Sequence, residues 1–312
     1  VRIKQIYVSI VKNPSIGAVL WKEIILLYVQ YETNKQDRGT CGMWEIIVAF
    51  ILGIVEGLTE FAPVSSTGHM IIVDDLLLKS HKLFSQEVAN TFKIVIQLGS
   101  ILAVVVLFKS RFVDLLDLKK EKATGERLKL SHIIVGLLPA GVLGLLFEDY
   151  IDEHLFSIKT VLVGLVMGAV LMIVADWLQP KTPKTETVDQ ISYKQALAVG
   201  LFQCIALWPG FSRSGSTISG GVLLGMSHRA AADFTFIMAV PIMLGASGLS
   251  LLKNWSYFTI DVLPFFVTGF VSAFIFAFVS IRFFLKLINR IKLVPFALYR
   301  IALAVVIYFV FF

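Results

Sequence analysis

Two carboxylates one helical turn apart, in a chain otherwise poor in charge, are the first residues that could do chemistry. Glu56 and Glu60 are four apart, so on a helix they share a face. Just downstream, Ser65-Ser66-Thr67-Gly68-His69 adds hydroxyls and an imidazole that gives and takes a proton near neutral pH. A second cluster, Pro209-Gly210-Phe211-Ser212-Arg213-Ser214-Gly215-Ser216-Thr217, sets one guanidinium among four hydroxyls. A planar guanidinium fork suits phosphate oxygens. A helix opening at Gly215 would add backbone N–H groups and a positive dipole end. The first cluster offers a metal or general-base site on Glu56 and Glu60, with Ser66 and His69 as catalytic candidates. The second offers an anion cradle in Ser212, Arg213, Ser214 and Thr217, to which Ser65 of the first cluster would contribute. Together they are the minimum for phosphoryl transfer, which depends mostly on positioning and charge neutralisation. No Walker sequence is present to hold ATP.

Each feature also has a plainer reading. The acidic pair would be satisfied as a protonated, hydrogen-bonded couple in a helix interface. Ser and Thr are ordinary N-caps. A lone histidine among apolar residues commonly only holds a hydrogen bond. Arg213 would serve as a simple counter-ion to Glu56 or Glu60. Depth raises the stakes, because a carboxylate in a bilayer costs roughly 2.5–3.5 kcal/mol on insertion scales. Two carboxylates also repel unless a cation or a shared proton intervenes. A divalent metal, Arg213 or that shared proton must therefore accompany them.

The elements that position these residues follow from composition. Of 312 residues, 57% are hydrophobic and only 16% charged, against roughly 25% charged in soluble domains. That excludes a water-solvated shell, disorder, collagen and coiled coil. Two cysteines, Cys41 and Cys204, build no disulfide framework and sit in no metal-ligand spacing. The net charge of +6 comes from basic residues lying between apolar runs, which reads as a topology signal and not as a nucleic-acid surface. Six runs have or approach the length of a span: 91–109, 131–147, 158–178, 232–252, 262–285 and 295–312. Trp44–Leu78 and Ser192–Met226 are apolar too, but each is broken at its centre by the clusters above. Irregular backbone at membrane depth is tolerated only where protein or a wet cavity surrounds it, so both read as re-entrant helical hairpins.

The two broken regions resemble each other at an offset of 147: Gly53 matches Gly200, Ser65 matches Ser212 and Gly68 matches Gly215, with Glu56 opposite Gln203 and Phe61 opposite Trp208. Three spans follow each hairpin. An odd number of crossings turns the second copy upside down, which is the inverted-repeat plan with a working site near the midplane. The expected fold is an all-α polytopic membrane protein, an inverted repeat of six transmembrane helices plus two re-entrant hairpins. Repeat one covers about 44–178 and repeat two about 192–312. Lys109, Arg111, Lys119, Lys120, Lys122, Arg127 and Lys129 place the loop after the first span inside. So do Lys181, Lys184 and Lys194 for the inter-repeat linker, and Arg290 and Lys292 for the last loop. Glu148, Asp149, Asp152 and Glu153 mark an outside loop. Residues 1–42 read as a leader or a non-native, misassigned start, because Ile16–Tyr31 carries Lys22 and Glu23 at its centre. An amphipathic surface helix is the alternative there.

The run Glu56-Gly-Leu-Thr-Glu60-Phe-Ala-Pro-Val-Ser65-Ser66-Thr67-Gly68-His69 resembles the first signature of the bacterial undecaprenyl-diphosphate phosphatases, the BacA or UppP bacitracin-resistance family. The run from Pro209 to Thr217 resembles its second, P-G-x-S-R-S-x-x-T. The resemblance covers about Met43 to Phe312. It implies a multi-pass hydrolase of the bacterial inner membrane, with its active site opening to the outer face. Such an enzyme converts undecaprenyl diphosphate to undecaprenyl phosphate and inorganic phosphate, which recycles the cell-wall lipid carrier and confers bacitracin resistance. It further implies a divalent cation, Mg2+ or Ca2+, on Glu56 and Glu60. The family's serine and histidine fall on Ser66 and His69, and its phosphate-holding arginine on Arg213. Whether Ser66 attacks or an activated water does stays open at this point, as does the oligomeric state, a homodimer included. The rival class is a lipid-phosphate or anion transporter, since broken helices with midplane charges are also the transporter plan.

Overall fold

The computed structural model describes residues 41–116, 126–155 and 157–312, the side chains of Glu148 and Asp152 aside. Residues 1–40, which hold most of the expected leader, and Lys119, Lys120 and Lys122 lie outside the described residues. The described chain is helical, with an isolated bridge between Thr185 and Met226. In order come α1 (Met43–Thr59), α2 (Ser66–Met70), a π-helical run Ile71–Leu78, α3 (Ser80–Leu83), α4 (Gln86–Leu107), α5 (Lys109–Leu116), α6 (Leu130–His154) and α7 (Ile158–Leu178). There follow α8 (Tyr193–Ile205), α9 (Arg213–Leu223), α10 (His228–Lys253), α11 (Leu263–Ile291) and α12 (Val294–Phe311). Six of them, α4, α6, α7, α10, α11 and α12, are long and apolar enough to cross a membrane, matching the six expected runs.

Boundaries move where caps decide them. Ser85 accepts from Val88 N–H and Ser227 from Ala230 N–H, so α4 and α10 begin several residues earlier than apolarity alone predicts. The second arm of the first broken region also departs from a plain half-helix. It widens into π-helix and stops at Lys79, whose φ of 52° is left-handed. Asp74 makes that stop: it is 1% exposed, accepts from the backbone and hydroxyl of Ser80, and lies 3.1 Å from Lys93 Nζ on α4.

Hydrogen bonds tie the two ends of the second broken region together, and a shared apolar cluster gathers those of the first. Gln195 at the start of α8 donates to Leu224 O after α9, while Lys184 and Thr185 pair with Gly225 and Ser227. Trp44 at the start of α1 shares an apolar cluster with Leu78, Leu83, Phe84 and Val88, beside Val262 and Phe265 at the start of α11. Beside the contacts that join α8 and α9, Asp176 of α7 meets His228 of α10 at 2.7 Å and accepts from Leu293 N and Val294 N ahead of α12. There too Arg111 pairs with Asp189 of the inter-repeat linker at 2.7 Å.

Packing crosses between the halves. α1 and α4 lie against α11, α8 against α6, α7 against α12 and α10 against α4. The first contact is backbone on backbone. A Cβ on Gly53 would sit 2.5 Å from Gly269 O, and one on Gly57 2.5 Å from Ala273 O. Small residues are how membrane helices approach when lipid removes the hydrophobic drive between them. α8 repeats the arrangement, with Gly200 set on Gly136 of α6. Overpacking costs roughly 1–3 kcal/mol or more. Gly57→Val should therefore lower the apparent Tm of detergent-solubilised protein by several degrees, with Val279→Ile on the exposed face of α11 as the comparison.

Candidate functional site

The two breaks meet. Each turns on a serine in a conformation that few non-glycine residues adopt: Ser65 has φ 70° and ψ 98°, Ser212 φ 71° and ψ 116°. Each serine caps the helix that follows, accepting from Gly68 N–H and Gly215 N–H respectively. Strain of this kind persists only where surrounding contacts hold it, and it gathers at functional sites. The caps make Ser66 and Arg213 the first residues of α2 and α9. Arg213 is thus on a helix start and not in the preceding loop, two residues earlier than the sequence implies.

Glu60, at the C-terminal cap of α1, joins the tips. Its Oε1 lies 3.0 Å from Arg213 Nη2, and its Oε2 accepts from the Ser66 hydroxyl at 2.7 Å. Ser214 adds a second bond between the tips, donating to Ala62 O at 3.2 Å. The Phe61 ring lies 5.6 Å from the Arg213 guanidinium carbon, a cation–π contact. Arg213 Nη1 is buried and has no partner among the described residues. A cavity of about 200 Å3 opens here, lined among others by Glu60, Ser65, Ser66, Gln97, Ser212 and Arg213.

The other expected residues stand apart from that cavity. Glu56 lies one turn behind Glu60, 3% exposed, with Oε1 unpartnered among the described residues. His69 turns away from Ser66. Its Nδ1 lies 2.8 Å from Ser65 O, which can only accept, so Nδ1 carries the proton. Its Nε2 then accepts from the Tyr299 hydroxyl at 2.7 Å, with the rings stacked. Thr217 is fully buried, donates to Arg213 O and accepts from Thr235. It fixes the first turn of α9 and is not brought to the cavity.

A hard cation can be tested against these donors. Among the described residues no three His, Cys, Asp or Glu cluster to hold a metal. Two adjacent carboxylates with an orphaned buried oxygen nonetheless fit Mg2+ or Ca2+ chemistry, in which substrate phosphates and water complete the shell.

Three participants escaped the sequence reading. Gln97 reaches the cavity from α4. Tyr299 orients His69. Arg300, 0% exposed, donates through Nη2 to the carbonyls of Gly164, Gly210 and Phe211 and so holds the second tip from below. A charge inside the last apolar run was the available signal for Arg300. Gln97 and Tyr299 gave none, being ordinary residues within spans.

Fold and site thus define a polytopic helical membrane protein whose two broken segments converge on an acid, a serine and an arginine. Residues 49–306 match the family model described as bacitracin resistance protein BacA. Over 269 residues the chain is 75% identical to a protein named undecaprenyl-diphosphatase from Geobacillus sp. strain WCH70, covering 86% of this chain and 98% of that one. It is 65% identical over 269 residues to the Bacillus subtilis strain 168 protein of the same name, covering 85% and 98%. The chain belongs to the BacA bacitracin-resistance family.

A buried acceptor left unpaired costs about 1–3 kcal/mol, and Arg300→Met strips three at once. Its apparent Tm in detergent should fall far more than that of Arg282→Met, where the guanidinium only overlies Phe278.

Proposed function

We infer that this protein is an integral-membrane hydrolase. It removes inorganic phosphate from undecaprenyl diphosphate, leaving undecaprenyl phosphate. The observation that carries this reading is Glu60 bonded at once to the Ser66 hydroxyl and to Arg213. The relatives' name supplies the substrate. Recycling of the cell-wall lipid carrier and resistance to bacitracin follow from that activity.

The chemistry can be written from these side chains. The incoming diphosphate takes Arg213 through its free Nη1 and competes with Glu60 for Nη2. Glu60, released from the ion pair, is then the base within reach of Ser66. Ser66 Oγ attacks the terminal phosphorus as its proton passes to Glu60. The bond from that phosphorus to the bridging oxygen breaks, and undecaprenyl phosphate leaves. Water then hydrolyses the phosphoserine and releases phosphate. Ser212 and the opening turn of α9 face the same cavity and supply donors to the phosphate oxygens. His69, held between Ser65 O and Tyr299, orients the first tip. Glu56 and Glu60 would hold a divalent cation, which supplies neutralisation of phosphate charge.

Several observations support the two finer features of the fold. Helices that leave and return to one end favour re-entrant hairpins. The paired strained serines at an offset of 147, and glycine contacts of each hairpin on the opposite half, favour an inverted repeat. The basic loops and the inter-repeat linker share one end, which we assign to the cytoplasm of a bacterial plasma membrane. The first hairpin then enters from outside and the second from inside. The carrier alternative receives no support from the relatives.

Phosphate release from undecaprenyl diphosphate by purified protein in detergent tests the reading, since hydrolysis needs no sealed compartment. Wild type should release phosphate and lose activity with chelator. Arg213→Ala should lower both affinity and turnover. Ser66→Ala should lose nearly all turnover, about 10³-fold or more. Loss within about tenfold would instead assign attack to water, with Ser66 as a positioning group. No release by wild type would overturn the hydrolase.

A further inference from the structure

Behind the polar cavity lies a second, larger one of about 610 Å3 whose lining holds no charged side chain. Its walls are Phe147 on α6, Met167 on α7, Ile205 on α8 and, at the second tip, Leu207, Trp208 and Phe211. Leu207 and Trp208 also line the polar cavity, so the two spaces share a wall. Phe147, Met167 and Ile205 are each about half exposed. They lie on helices long and apolar enough to face lipid, or beside them. This is an apolar groove open sideways, and its inner end stops where the phosphate-binding residues begin.

We propose that this groove holds the head-proximal isoprene units of the lipid substrate, and that it sets the enzyme's preference for a long prenyl chain. The proposal rests on the hydrolase reading above. A molecule with its diphosphate among Arg213, Ser212 and Ser66 must send an apolar chain out of that cavity. The route past Leu207 and Trp208 leads onto almost wholly apolar surface. Trp208 is fixed as the partition between head and tail, because its indole N–H donates to Thr160 O at 2.8 Å. The two tips differ at matching positions. At the offset of 147, Leu207 occupies the place of Glu60 and Trp208 that of Phe61. One tip thus presents an acid to the shared cavity and the other an apolar corner. The rest of the chain, too long for the groove, stays in the bilayer.

The test fills the groove at two places away from the phosphate-binding residues, with Met167→Trp and Ile205→Trp. Leu146→Trp, on the exposed face of α6 outside the groove, is the control. Hydrolysis is compared for undecaprenyl diphosphate and dimethylallyl diphosphate, which share the head and differ in tail. The expected result is a fall of roughly tenfold or more in the long-to-short ratio of kcat/KM for both fillers, carried by KM for the long substrate. Leu146→Trp should keep the wild-type ratio. An unchanged ratio in both fillers overturns the proposal and puts the tail elsewhere. Binding of radiolabelled undecaprenyl phosphate, measured without turnover, keeps the two readings distinguishable. If wild type hydrolyses neither substrate, the hydrolase fails. The groove then stands if the fillers weaken that binding by the same factor while Leu146→Trp does not, and falls if they do not.

Discussion

The contact on which the rest depends is an ion pair between two segments that share no helix. Glu60 and Arg213 are 3.0 Å apart, though 153 residues separate them in sequence. Neither charge is tolerable alone where it is this far removed from water, since burying an unpaired charge is costly. Together they neutralise one another and pin the two breaks tip to tip. The pair is a partly open one, with Arg213 side chain 17% exposed and Glu60 9%. That exposure matters, because it leaves both side chains lining an open cavity. A fully sealed pair would be structural only.

The surrounding helices make this contact possible by holding irregular backbone where lipid would not. Glycine contacts draw α1 onto α11 and α8 onto α6, so the first helix of each broken segment is clamped by the other half of the chain. Arg300 satisfies carbonyls that the second tip would otherwise bury unpaired. Ser65 and Ser212 carry the strain of the turns and cap the helices beyond them. The outcome is that Ser66 and Arg213, equivalent at the offset of 147, both stand at helix starts facing one cavity. One broken segment thus delivers a hydroxyl to that cavity and the other a cation.

Much of this was legible in the sequence. The six spans, the two broken segments and the cavity residues Glu60, Ser65, Ser66, Ser212 and Arg213 all followed from apolar run length and from polar residues in improbable places. What was not legible depended on direction and partners. The sequence does not say that His69 faces Tyr299 and not Ser66, because that turns on which side of a five-residue helix the ring projects. Thr217 belongs to the phosphate motif by spacing, yet its hydroxyl is taken by Arg213 O inside α9. The π-helical widening after α2 follows from a buried Asp74 whose partners are Ser80 and a lysine on another helix. Local propensity carries no trace of such long-range pairing.

The most direct test of the central claim is a double-mutant cycle on phosphate release, using Glu60→Asp, Arg213→Lys and the double variant, which keep both charges and shift only their reach. If the two tips act on one bound diphosphate, the losses in kcat/KM should be strongly non-additive, the double variant being little worse than the poorer single one. Losses that simply multiply would mean that Glu60 and Arg213 act independently, and would contradict a site shared between the tips.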